Sequence, residues 1–166
     1  MVASMVAGCD VRPPPVQEES NPEIQLEGVG LRFFRGNELR AVGRAAQATF
    51  RRSNGDLTAQ SVRLRFLAAL DRPEVEVAAR EATGNLYSHV ADAKGGVRIA
   101  QTAGAAGATE AASLDGKAQR ASGTLPVDIV DEVYRIHAAT GFVLNLANPG
   151  SLLLHGPVQT TVGGLR

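Results

Sequence analysis

The sequence predicts an all-β fold, a sandwich or roll of antiparallel strands, and three observations carry that. Apolar residues recur with a period of two. Successive side chains of a strand point to opposite faces, so each such run has one dry face and one wet one. Clusters of Gly, Asn, Asp and Pro punctuate the runs at intervals of roughly ten residues. Composition agrees: 18 Gly and 8 Pro among 166 residues favour many turns over a few long helices, and 44% hydrophobic residues suffice for a core.

In chain order, Val29, Leu31 and Phe33 alternate with Gly30 and Arg32, and Val62, Leu64 and Phe66 with Arg63 and Arg65. Val75 and Val77 flank Glu76, Val97 and Ile99 flank Arg98, and Val127 and Ile129 flank Asp128. Tyr134 and Ile136 flank Arg135, and Phe142, Leu144 and Leu146 alternate with Val143 and Asn145. Turns are expected at Arg35-Gly36-Asn37, Ser53-Asn54-Gly55-Asp56, Thr83-Gly84-Asn85, Lys94-Gly95-Gly96 and Asn148-Pro149-Gly150. Leu67 to Leu70 with Asp71 is expected to close as a helical turn. The alanine-rich stretch 103–121 has helical propensity, but Gly104, Gly107 and Gly116 interrupt it, so Leu114-Asp115-Gly116 reads as a strand entering a turn. A weak repeat supports the strands: Phe50 to Val62, Leu114 to Val127 and Leu144 to Val158 each read as a strand pair that must stack on its neighbours.

Composition also limits function. Lys+Arg and Asp+Glu balance at 17 each, which leaves no global field to draw the chain to nucleic acid or to an acidic membrane. Five Phe, two Tyr and no Trp leave few stacking platforms, and a single Cys excludes a disulfide framework and a cysteine-built zinc site. His89, His137 and His155 fall in no metal-ligand spacing, and no GxSxG supplies a nucleophile elbow. Asp128, Asp131 and Glu132 read as a solvated turn. Val97 to Ala100 followed by Gly104 to Gly107 lacks the third glycine of GxGxxG and the Lys-Ser/Thr of a P-loop. Arg51-Arg52 and Arg63 with Arg65 read as local basic spots on exposed strand faces. Neither an enzyme nor a cofactor is expected.

The amino end carries a different signal. The apolar start Met1 to Met5, then Val6-Ala7-Gly8-Cys9, resembles the end of a bacterial lipoprotein signal peptide. The resemblance implies that Cys9 is lipidated and that residues 1–9 are a signal remnant. The charged and long apolar regions of such a signal are missing, as expected if the true start lies upstream. Residues 10–23, with Pro13-Pro14-Pro15 and Pro22, read as a Pro-rich linker that holds the body, residues 24–164, clear of a membrane.

The body resembles the lipopolysaccharide-export family built on the OstA-like β-jellyroll, in particular its inner-membrane-attached periplasmic LptC members. The resemblance rests on Gly28 to Phe34, on Gly55-Asp56-Leu57-Thr58-Ala59 leading to Val62, and on Gly95-Gly96-Val97-Arg98-Ile99. It continues in order through Ala121 to Val127, Tyr134, Gly141-Phe142 and Leu154-His155-Gly156-Pro157-Val158. It implies two antiparallel sheets with an open groove that holds the acyl chains of lipopolysaccharide. The protein would be periplasmic and anchored to the inner membrane through lipid. It would accept lipopolysaccharide from an inner-membrane ABC transporter and pass it to a periplasmic bridge protein of the same fold. The family's usual transmembrane helix is replaced here by the lipobox. Alternation nominates Leu64, Phe66, Val97, Ile99, Leu114, Ile129, Ile136, Phe142, Leu144 and Leu154 as the lipid-binding face. The final strand, Val158, Gln159, Thr160, Thr161 and Val162, carries no charge or proline and is expected to be the partner-docking edge. A proline at Gln159 is expected to remove one of its outward donors. The alternatives are a structural or adhesin-like β-repeat lipoprotein and the soluble bridge component of the same pathway.

Overall fold

The computed structural model describes residues 23–68, 73–102, 104–145 and 151–163. Among them are twelve strands and no helix: β1 (Glu23–Arg35), β2 (Glu38–Arg51), β3 (Asp56–Phe66), β4 (Val75–Asn85), β5 (Val90–Gln101) and β6 (Ala106–Asp115), then β7 (Arg120–Gly123), β8 (Val127–Val130), β9 (Tyr134–Ala138), β10 (Phe142–Asn145), β11 (Ser151–Leu154) and β12 (Val158–Val162). Every pairing is antiparallel, and β1 to β6 follow one another as a meander. Glu23, expected at the end of the linker, opens β1 opposite Arg51. Residues 1–22, including Cys9 and the Pro-rich stretch, lie outside the described residues, as do Asn148-Pro149-Gly150 and most of the expected helical turn.

Beyond β6 the ladder divides. The end of β6 pairs β7, then β10 and β11; its beginning pairs β8, then β9 and β12. The two branches share one register. Gly123 faces Phe142 and Val127 faces Ala138, four residues on along one strand and four back along the other. Phe142 faces Leu154 and Ala138 faces Val158 in the same relation. Thus β7 with β8, β10 with β9, and β11 with β12 are halves of three long strands, and the fold is a nine-rung up-and-down meander. Its halves form a β12 arm and a β11 arm.

A crease separates the arms. Regular pairing lapses in mid-strand at Gly28 of β1, Ser61 of β3 and Gly95-Gly96 of β5, all at positive φ (60°, 53°, 79° and 85°). It lapses again at 124–126, 139–141 and 155–157. A residue that leaves the pleat inverts the alternation beyond it. In β3, accordingly, Leu57 and Ala59 face inward before Ser61, and Val62 and Leu64 after it, all in one apolar cluster. Gly141 is the tightest point: φ is 119°, and a Cβ there would stand 2.1 Å from the carbonyl oxygen of Gly123.

Two turn expectations are corrected by this. Lys94-Gly95-Gly96 lies inside β5, where the two glycines make the crease and not a reversal. Thr83-Gly84-Asn85 ends β4, and the chain reverses at 86–89. The strands are also longer than expected, up to 14 residues in β2. Alanine-rich β2 and β4 give little alternation of large side chains, which hid their length.

Candidate functional site

The apolar side chains assemble into rows that cross the meander. On the β12 arm, Leu31, Gly43, Leu64, Val77, Ile99, Gly107, Ile129, Ile136 and Thr160 face one another in sequence from β1 to β12. On the β11 arm the corresponding row is Ile24, Phe50, Leu57, Gly84, Ala91, Leu114, Ala121, Leu144 and Leu152. Nearer the crease run Val97, Thr109, Val127, Ala138 and Val158 on one side, and Gly123, Phe142 and Leu154 on the other. Phe66 stands with Phe33, Ala41 and Val75 in a third row of the β12 arm.

All ten nominated residues lie in these rows. Their burial differs systematically. Val97 and Phe142, beside the crease, are buried at 1% and 3% exposure, whereas Leu64, Phe66, Ile99, Leu114, Ile129, Ile136, Leu144 and Leu154 are only half-buried. Two clusters hold the crease shut, Ala45, Ala48, Ala59 and Val62 in one, and Ala121, Val127, Ala138 and Phe142 in the other. The sole buried polar side chain described in the core, Thr109, donates its hydroxyl to the Pro126 carbonyl at 2.9 Å, so the interruption at 124–126 does not leave that acceptor unmet. The sequence reading missed the small residues of these clusters. Their signal, alanine in phase with Val and Leu, was present but carries little weight by itself.

At the outer rungs the apolar rows run out into solvent. Ile24, Leu26 and Phe33 of β1 are about 40% exposed, as is Val158 of β12, and Leu152, Leu153 and Val162 are more so. Among the described residues, β1 pairs only β2, β11 only β10 and β12 only β9. Among the described residues, both ends of the meander are therefore unpaired edges that carry apolar side chains.

The hydrogen-bond phase of the last edge revises one expectation. Ala139 N–H donates to the Pro157 carbonyl (3.2 Å) and Gly163 N–H to the Val133 carbonyl (3.0 Å). Antiparallel partners alternate between pairs that exchange hydrogen bonds and pairs that do not. Odd-numbered residues of this strand therefore bond to β9, and the N–H groups of Val158, Thr160 and Val162 point outward. Gln159 faces His137 within the sheet, so a proline there would break the β9–β12 ladder and leave the free edge's own donors intact.

Two cavities are described, and none of the ten nominated residues lines either. The larger, about 470 Å³, is polar and lined by Glu23, Thr49, Arg51, Asp56, Thr58, Thr83, Asn85 and Asp92 among others. The smaller includes Asp92, Ser113 and Ser122. Thr49, Thr58, Thr83, Asp92, Ser113 and Ser122 form one cross-strand row on the opposite face of the β11 arm from the apolar rows. That face is internally bonded. Asn85 Nδ2 donates to the Asn54 carbonyl and to Asp56 Oδ1 (2.8 Å each), and its Oδ1 accepts from the N–H groups of Tyr87 (3.0 Å) and Ser88 (2.9 Å). Arg51 pairs Glu23, and Ser113 donates to Asp92.

Titratable groups do not converge. His89 sits in a turn, His137 Nδ1 lies 2.9 Å from Asp128 Oδ1 across β8 and β9, and His155 lies at the crease. Among the described residues Tyr134 is perturbed: burial first, then the Asp131 carboxylate, raises its phenol above the usual value. Among the described residues no three His, Cys, Asp or Glu side chains group as metal ligands. Compared with known proteins, the chain matches no family model and no curated protein.

Proposed function

We propose that the chain is a non-catalytic carrier of acyl chains, a lipopolysaccharide-binding and transfer protein of the export pathway that its sequence resembles. The observation that carries this reading is the pair of mostly aliphatic rows that cross the meander, buried along the crease and half-buried away from it. In this reading the arms fold toward each other as the two sheets of a jellyroll, and the groove between them opens along the side away from the crease. Burial of apolar surface is worth about 25 cal/mol per Å², so several acyl chains are held firmly without any charged contact. Alanine and glycine at Gly43, Ala91 and Gly107 keep the rows shallow enough to admit a chain. Cys9 supplies the lipid anchor at the inner membrane, the ABC transporter delivers the lipid, and the periplasmic bridge protein docks on the β12 edge through Thr160 and its neighbours.

Site-specific photocrosslinking tests the groove. A photoreactive residue at Ile136 or Leu144 crosslinks to lipopolysaccharide in cells, and one at Thr58 or Thr83, on the opposite face of the β11 arm, does not. Crosslinks confined to these outward positions, with the protein still folded, overturn the reading. A folded protein that copurifies with a protein partner but with no lipid favours the structural or adhesin-like alternative. For the edge, Thr160→Pro weakens binding to the bridge protein while the thermal transition stays in place. For the anchor, Cys9→Ser removes the acyl chains and lets high salt extract the protein from the membrane fraction, because stable attachment needs more than one acyl chain or signal.

A further inference from the structure

The face of the β12 arm opposite the apolar rows carries arginines brought together from distant parts of the chain. In one row Gly30, Arg44, Arg63, Ala78, Arg98 and Ala108 are successive cross-strand partners; in the next, Arg32, Val42, Arg65, Glu76 and Ala100 are. Arg135 continues the second row on β9. All six arginines are exposed. Against them stand Glu76 and, on β8, Asp128, which is paired with His137. Among the described residues none of the six makes an ion pair. The corresponding rows of the β11 arm carry the reverse balance, with Glu23, Glu27, Asp56, Glu81, Asp92 and Asp115 against Arg51, Lys94 and Arg120. A chain of zero net charge thus has a basic face and an acidic face.

Arg44 and Arg63 are the most telling pair. They face each other directly, and like charges directly opposite on adjacent strands are destabilising. Neither makes an ion pair among the described residues, and both are exposed, so the pair is open to an external anion. Guanidinium forks match phosphate oxygens and shed water more readily than ammonium groups. Without Arg135, the other five arginines lie within the five strands β1 to β5, or about 19 Å at the usual strand spacing. Gly30, Ala78, Ala100 and Ala108 leave it low between the arginines. A sheet this broad does not enter a nucleic-acid groove about 12 Å wide, and the two rows hold no aromatic side chain on which bases would stack. A planar array of phosphates suits it.

We infer that this arginine face is a docking surface for an anionic lipid bilayer, laid on the phosphate headgroups of the membrane. The surface is separate from the acyl-chain rows and does not depend on them. It would hold the β12 arm flat against the bilayer, with the acidic face of the β11 arm turned away.

The test uses the full chain carrying Cys9→Ser, so that no acyl anchor contributes. Its cosedimentation is measured with vesicles of phosphatidylcholine alone and of phosphatidylcholine mixed with phosphatidylglycerol. Binding is expected to the mixed vesicles only, and to vanish in ~1 M salt, where the screening length falls to about 3 Å. Each arginine near such a surface contributes roughly fivefold in partitioning, so Arg44→Gln with Arg63→Gln should weaken binding about 25-fold. Lys117→Gln with Arg120→Gln removes the same charge from the far end of the β11 arm and should change little. Arg98→Gln alone should cost about fivefold, which keeps the test open if the double variant misfolds. Equal binding to neutral vesicles, or an equal loss in the Lys117/Arg120 variant, overturns the proposal. So does tighter retention on duplex DNA than on vesicles. Displacement by inorganic phosphate at an ionic strength where chloride has no effect would mark a discrete phosphate site and overturn the bilayer surface. Lipid crosslinks at Ile136 and Leu144 are read separately, so failure here leaves the groove untouched.

Discussion

The two arms of the meander share nine strands, one register and one continuous apolar face, yet their other faces differ in kind. On the β11 arm, Asn85 is satisfied at four positions, Arg51 pairs Glu23 and Asp92 accepts from Ser113. On the β12 arm, arginine stands opposite arginine with no partner. The inner face is constrained by what folding requires, because the same small residues must close the crease from both sides. The outer faces are free of that constraint. One has been used to stabilise its own turns, and the other leaves a local rule broken, which is where a binding surface is expected.

The largest effect should come from the crease, where the comparison presumes a single cooperative unit. Phe142 of the β11 arm and Val127 of the β12 arm lie in the same cluster. Phe142→Ala should lower the free energy of unfolding by about 3–5 kcal/mol. Both arms should still melt in one transition when followed by denaturant titration with separate probes. Two separated transitions would make the arms independent and break the comparison.

Next is the internal bonding of the β11 arm. Asn85→Ala removes two donated and two accepted hydrogen bonds from the 52–56 and 86–89 turns. About 2 kcal/mol of stability should be lost, with vesicle binding unchanged. A smaller loss of stability than in the matched β12-arm variant Arg98→Ala would reverse the assignment of the self-satisfied face.

A smaller effect of opposite sign is expected on the β12 arm. Arg63→Glu replaces a like-charge pair with an opposite-charge pair across from Arg44. It should raise stability by about 0.5 kcal/mol while weakening attachment to anionic vesicles. Such a gain in stability with a loss of binding is the signature of a strained functional face. Unaltered stability would show that the exposed guanidiniums are already screened from each other.

The smallest effect concerns Tyr134 on β9. Its phenol titrates above the ordinary value of 10.0 because burial and Asp131 disfavour the phenolate. The folded state then binds its proton more tightly than the unfolded chain. That contribution is complete below the unfolded pKa and is lost as pH rises through the folded one. Thermal stability should therefore fall more steeply above about pH 10 than in Tyr134→Phe, and Asp131→Asn should flatten part of the difference. Identical alkaline profiles in all three would remove the effect.

Much of the apolar face was legible in the sequence. Leu64, Ile99, Ile129 and Ile136 were nominated by alternation, and the register sets them in one row. The hairpin at Ser53-Asn54-Gly55-Asp56 was also legible, since Asn54 Oδ1 accepts from the Asp56 N–H as an Asx turn does. Lys94-Gly95-Gly96 was not. Two glycines permit positive φ, but whether the chain then reverses or merely kinks depends on the strands to either side. The inward N–H of Gln159 was not legible for a similar reason, because which N–H of an edge strand points outward is a property of its pairing partner.

Local chemistry by itself determined that this chain forms strands and which large side chains of each run share a face, since a two-residue period needs no distant contact to express itself. The tertiary structure alone decided where the strands crease and which residues of different strands become neighbours. Arg32, Arg44, Arg63, Arg65 and Arg98 are scattered over 67 positions and are cancelled in any count of net charge. They become one basic face only when five strands lock into register. Coulomb interactions fall off over about 8–10 Å in salt, so distance in space decides the field at a surface, and distance along the chain does not.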